Sequence, residues 1–279
     1  MAVLTGRVFL PNSPNPVVRR PGLFDAATGP LDLPINAREG GLQYQTAVCE
    51  LPACYEVLCQ DNGGRGTKSF LTGPSTITGD PFIVYSEITC SPVGMTDEQL
   101  QKYLYDRLTA GEQSTVENVF SRQSCGQAPG LSNNAAVVTV TAAAVDPVKS
   151  LSLLEAALAA SYGMSGIIHV PMALAAYYTD LFLVEKEGNL WYTRGGNKVV
   201  FGNYAGRTPV DAAPAANETW VYATGQVAIW RDSETFATNR AMTLNRTTNK
   251  VTAVMERTYV VDFDCLVLAA QTKITGVVA

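Results

Sequence analysis

His169 is the only histidine in the chain, and so the only side chain whose ordinary pKa suits general-base work near neutrality. It stands in GIIHV, between Ile168 and Val170 and two residues before Pro171. Six cysteines, at 49, 54, 59, 90, 125 and 265, could in principle supply a thiol nucleophile to it. No nucleophile elbow surrounds any of them, and a histidine on an apolar strand reads as a core or interface residue. Cys49, Cys54 and Cys59 form C-x4-C-x4-C, without the tight C-x2-C knuckle of a structural zinc site. The cysteines are read as small buried thiols ahead of a disulfide or a metal site. Asp262 and Asp264, in VVDFDC, alternate along a strand and resemble a carboxylate pair, but no second acidic cluster accompanies them. They are expected to be edge or interface charges. The run Gly63, Gly64, Arg65, Gly66 invites a phosphate-loop reading, yet lacks G-x4-G-K-[ST] spacing and a following helix, so a hairpin tip is expected. That tip, with Lys68, is either a contact element reaching a neighbour or a solvated turn. No catalytic constellation, cofactor site or metal site emerges.

The elements around these residues spend most of their faces on apolar side chains. Of 279 residues, 47% are hydrophobic and 16% charged, against about 25% charged in an ordinary soluble chain. A neutral surface is a liability for a monomer and natural for a subunit with large contacts. The formal net charge of −5 speaks against a dedicated nucleic-acid binder, the nearest thing to a basic patch being Arg19-Arg20. The longest apolar stretch, Ala135 to Val145, is about half the roughly 20 residues that span a bilayer. Its Val/Thr alternation predicts a buried strand. The N-terminus carries no charged region followed by an apolar one, so a secretory signal is not expected and the chain is read as staying in a cytosol or in a particle formed there.

Residues 1–40 are rich in Pro and Gly and should be extended, with no core of their own; Val17, Val18, Leu23, Phe24, Leu31 and Leu33 favour an arm lying across a neighbour. Strands are expected over Leu42–Tyr55 and Phe82–Thr89, with a glycine-rich turn between them. Thr96-Asp-Glu-Gln99 is a capping box opening a helix to about Ser121, its Leu100, Leu104, Leu108, Val116, Val119 and Phe120 at spacings of three and four with a slip near Gly111. Asp146-Pro147 starts a second helix that Tyr162-Gly163 closes, GIIHV is a short buried strand, and Pro171 is expected to start a third helix. Gly188-Asn189 and Gly195-Gly196 read as turns, 203–218 as a loop, and Thr247-Thr248-Asn249 as a turn between late strands.

An arm, a hairpin with a glycine tip, a long helix and an α/β part returning to a strand pair resemble, in that order, the HK97-type major capsid protein of tailed bacteriophages, a fold also used by encapsulin shells. The LNRTTNK turn before a long strand is similar to the closing segment of many phage capsid subunits, those of actinobacterial phages included. The resemblance implies an α+β fold with an N-terminal arm at 1–40, an E-loop at 41–90, a peripheral domain with spine helix at 91–145, an axial domain at 146–235 and a return to the peripheral domain at 236–279. It implies pentamers and hexamers of an icosahedral or prolate head around double-stranded DNA, contacted only non-specifically, with no membrane partner. Portal and decoration proteins would be further partners. No scaffolding segment precedes the arm, so a separate scaffold, or none, is expected. Arg19, Arg20, Phe24, Gly63, Gly64, Arg65 and Lys68 are the inter-subunit contacts it points to. Lys68 lies where some members form a Lys–Asn cross-link, but no acidic catalyst can be placed beside it. An encapsulin-type compartment, a tail or baseplate protein and a thiol hydrolase are the competing readings.

Overall fold

The computed structural model describes residues 17, 21–46, 51–52, 75–90, 96–238 and 250–274, the side chains of Ser75, Cys90 and Thr238 excepted. In chain order the elements are α1 (Leu23–Ala26), β1 (Thr28–Asp32), α2 (Ala37–Gly40), β2 (Leu42–Thr46), β3 (Ser75–Gly79), β4 (Pro81–Cys90) and α3 (Asp97–Arg122). Then follow β5 (Val138–Thr139), α4 (Pro147–Ser161), β6 (Ile167–Pro171), a 3-10 turn (Met172–Leu174), α5 (Ala175–Asp180), β7 (Val184–Glu187), β8 (Leu190–Thr193) and β9 (Lys198–Gly202). The chain ends through β10 (Glu218–Thr224), β11 (Val227–Arg231), β12 (Thr235–Thr238), β13 (Val251–Phe263) and β14 (Val267–Lys273).

Two sheets carry the architecture. The five-stranded sheet is built on β13, which pairs antiparallel with β4, β11 and β12, while β1 joins β11 in parallel. The seven-stranded sheet runs β5-β14-β10-β6-β9-β8-β7. Helix α3 packs on β4 and β13, and its 26 residues reach about 39 Å at 1.5 Å per residue. Leu104, Leu108, Val116, Val119 and Phe120 meet Met255, Tyr259, Val261 and Phe263 in one core that extends to Ile167, Val200 and Tyr222 of the second sheet. The opposite face of that sheet (Ile168, Val170, Val199, Phe201, Val221) packs under Leu151, Leu154 and Leu158 of α4. Strand β6 alternates between these two cores and is buried throughout, as covered faces demand.

The Thr96 capping box and the Asp146 cap with Pro147 behind it form as the sequence predicts. Three expectations are corrected. Ala135–Val145 is not a buried strand: only Val138–Thr139 forms a strand, at the edge of the sheet, with an isolated bridge from Val145 to Thr272, and Val138 is 58% exposed. Pro171 ends β6 in extended conformation and caps the 3-10 turn Met172–Leu174, so the α-helix begins one turn later than expected. Only six helical residues follow the 3-10 turn. The arm from Gly22 onward does have a core: Leu23 and Ala26 are fully buried in their own chain and β1 is part of the sheet. Both sheets draw strands from either side of residue 235, β11 lying beside β13 and β14 beside β10. The Thr247-Thr248-Asn249 turn and most of the hairpin tip lie outside the described residues.

Candidate assembly surfaces and buried polar clamps

Where the helical stripe of α3 slips, the structure puts carboxylates. Gly111 leaves the helix unbroken, and Glu112 and Glu117 turn inward beside Leu108 and Val116. Glu112 accepts from Arg231 Nη1 at 3.1 Å, from Arg257 Nη1 at 2.5 Å and from the Tyr259 hydroxyl at 2.5 Å. Arg257 also donates from Nη2 to Glu234 at 2.9 Å, which holds the Glu234 carboxyl below its usual range. Burial, followed by the charge of Glu112, pushes the Tyr259 hydroxyl up. A buried charge is tolerable only with partners of this kind. Five residues lower on the helix, Glu117 accepts the Leu23 N–H at 3.1 Å and the Asn203 N–H at 2.7 Å. One carboxylate thus ties the arm to the helix and to the end of β9.

Phe24, alone among the sequence-predicted contacts, falls within the described residues. It is half-buried and stacks on Tyr259 with ring centroids 6.1 Å apart, inside its own chain. Arg19, Arg20, Gly63, Gly64, Arg65 and Lys68 lie outside the described residues. What the structure does expose is different. Ile83 and Tyr85 of β4 are 52% and 60% exposed on the outer face of the five-stranded sheet, opposite the buried Phe82 and Val84. Phe182, just past α5, is 74% exposed and holds a left-handed φ of 52° where a glycine or asparagine is usual. The strict alternation of FIVYSEIT carried the signal for Ile83 and Tyr85. Nothing in the sequence singles out Phe182.

His169 is fully buried, its Nδ1 3.1 Å from the Tyr204 hydroxyl and its Nε2 3.0 Å from Thr224 Oγ1, with Phe120 edge-on to the ring. Burial pushes its pKa down to about 3, so the ring is neutral and both nitrogens are engaged. It is a core histidine without a thiol partner among the described residues. The two cysteines whose side chains are described depart from the expectation of buried thiols: Cys125 is exposed and free on a turn, and Cys265 is in a disulfide whose other half lies outside the described side chains. The aspartates depart too. Asp262 is fully buried within β13, and Asp264 lies past the strand's end, accepting from the hydroxyls of Thr46 at 2.6 Å and Tyr162 at 3.1 Å. Among the described residues no group of three or more His, Cys, Asp or Glu is placed to hold a metal ion, and no helix is long and apolar enough to cross a membrane.

No family model matches the sequence, and no curated protein matches it. Solved structures do match. The capsid of a native GTA particle aligns at a TM-score of 0.57 and 11% identity, covering 97% of each chain. A chain of Mycobacterium phage Ogopogo aligns at 0.56 and 14% identity over 96% of each chain. The capsid of cyanophage Pam1 aligns at 0.51 and 10% identity, over 99% of this chain and 98% of that one. With two sheets, a capped 26-residue helix and an arm all aligned nearly end to end, the chain has the HK97-type capsid fold.

Proposed function

We propose that this chain is the major capsid subunit of a tailed-phage head, self-assembling into pentamers and hexamers around double-stranded DNA. The observation that carries this reading is end-to-end coverage in both directions by capsid structures, at 97% or more of each chain for the GTA and Pam1 matches. The exposed apolar residues fit it. Ile83, Tyr85, Phe182 and Val210 are more than half exposed in a subunit with few surface charges, and contact with neighbouring copies would cover them. Head-to-tail contacts between unlike patches close into rings.

In this assignment α3 is the spine helix and the five-stranded sheet is the peripheral domain. The seven-stranded sheet with α4 and α5 is the axial domain, β2 and β3 begin and end the E-loop, and the arm runs to residue 40. Arg19, Arg20, Phe24, Gly63, Gly64, Arg65 and Lys68 stay in the proposal as contact residues, Phe24 through the surface it leaves open beside Tyr259. The role is structural and not catalytic, and the protein belongs to the virion, assembled in a bacterial cytoplasm. Portal, scaffold and decoration proteins would be its heterologous partners.

Negative-stain electron microscopy of the purified chain tests this. Closed shells or five- and six-membered rings are expected, alone or with a co-expressed scaffold. Open tubes would favour a tail component, and a persistent monomer under assembly conditions would overturn the reading. Shells that enclose a co-purifying protein in place of DNA would turn it towards a compartment.

A further inference from the structure

We propose that Asp262 is a proton-operated latch for the β2–β3 hairpin, which seats on the five-stranded sheet while the carboxyl is neutral and loosens when it ionises. This concerns the single subunit and holds whatever the subunit builds.

The hairpin base rests directly on this side chain. A Cβ added at Gly79 would lie 2.7 Å from Val260 Cγ1 and 3.3 Å from Asp262 Oδ2, so the β3 backbone passes close to the carboxyl with no room for a side chain between them. Tyr44 of β2 packs against Trp230, with ring centroids 5.6 Å apart, on the same side of the sheet. Among the described residues Asp262 Oδ1 accepts only its neighbour's N–H, from Phe263 at 2.7 Å, and Oδ2 has no hydrogen-bond partner. A fully buried carboxylate in that condition is costly, and a neutral carboxyl far less so. The titratable groups that face it offer no positive charge. Asp264 follows on the chain, Asp80 lies at the β3–β4 junction and Tyr44 comes from β2, while Tyr162, at the end of α4, meets Asp264. Asp264 is itself tied to β2 through Thr46 and to α4 through Tyr162, so hairpin, strand and helix end share one acidic contact.

Burial, then the charges of Asp264 and Asp80, raise the Asp262 pKa from 3.8 to about 7. The sign follows from proton linkage. The seated form holds its proton up to about pH 7 and the open form releases it near 3.8, so seating weakens as pH rises through that window and levels off above it. Within the window the opening constant changes by up to about tenfold per pH unit.

Hydrogen exchange of the full chain, read by mass spectrometry and corrected for intrinsic rates, tests the latch. Peptides covering β2 and β3 should exchange at least about tenfold faster at pH 7 than at pH 5, beyond any change in β6 or α4. In Asp262→Asn that difference should vanish with the hairpin held seated. Asp80→Asn should keep the dependence and move its midpoint to lower pH. A wild-type hairpin without pH dependence overturns the proposal even if neither variant folds. So does a dependence that survives in Asp262→Asn, or one that disappears in Asp80→Asn.

Discussion

The two sheets are held by different physics. Around the five-stranded sheet, α3 is fastened by buried charges: Glu112 with Arg257 and Arg231, and Glu117 with two backbone N–H groups. Around the seven-stranded sheet, α4 is held mainly by Leu151, Leu154 and Leu158 against Ile168, Val170 and Phe201, with one half-buried carboxylate, Glu155, accepting from Thr193 and Asn197 at its edge. Apolar packing is non-directional and tolerates repacking, whereas a buried carboxylate that must meet a guanidinium and a hydroxyl allows one register only. The difference teaches where geometry is pinned: the long helix, the arm and the hairpin base carry the buried carboxylates.

The largest effect expected from breaking this contrast is at Glu112. Glu112→Gln leaves Arg257, 7% exposed, without its inner carboxylate, and should cost about 3–5 kcal/mol in urea unfolding. The double variant Glu112→Leu/Arg257→Met should recover at least half of that, because the buried Arg257 charge is gone and the two charges that lose a partner, Arg231 and Glu234, are 35% and 37% exposed and can be solvated. A single-variant cost below about 1 kcal/mol would show that water reaches the pair and that the clamp contributes little. Leu154→Ala should cost about 2–5 kcal/mol on the apolar side, by cavity formation, with no dependence on salt. Glu117→Gln should cost about 1.5–3 kcal/mol, the worth of hydrogen bonds to a charged acceptor. Its distinguishing readout is local: exchange at Leu23 and Asn203 should rise together, since one carboxylate holds both N–H groups.

The apolar half of this contrast was legible in the sequence, and the clamped half was not. Leu151, Leu154 and Leu158 and the run GIIHV announce the α4 layer by spacing alone. The slip of the α3 stripe near Gly111 was visible, but periodicity counts apolar residues, and Glu112 occupies a core position in the series Leu104, Leu108, Glu112, Val116, Phe120. Arg257 does the same in the alternation Ala253, Met255, Arg257, Tyr259, Val261. Each alone looks like a surface charge, and only their meeting in space, 145 positions apart in sequence, makes both buried. The arm was misread for a related reason. Pro and Gly exclude regular period, but they do not prevent two residues, Leu23 and Ala26, from anchoring a short turn beneath a helix. Sheet membership of β11 and β14 depends on pairing across the chain, which no local pattern encodes.

His169 gives the smallest and sharpest test of the apolar side, because it is the one titratable group inside that sheet whose pKa is lowered. Its pKa falls from 6.5 to about 3 on burial, so the folded chain refuses a proton that the unfolded chain accepts. Its contribution is complete above the unfolded value of 6.5 and is lost as pH falls towards 3. Between about pH 7.5 and 5.5 this group should remove about 1.4 kcal/mol of stability. Histidine 169 replaced by glutamine (His169→Gln) cannot titrate, so the wild type should lose that amount relative to the variant over this interval. Asp262 acts with the opposite sign over an overlapping range, and taking the difference between the two proteins cancels it. A difference that stays flat with pH would mean that water reaches the imidazole between Tyr204 and Thr224, and that the interior of the seven-stranded sheet is less dry than its packing indicates.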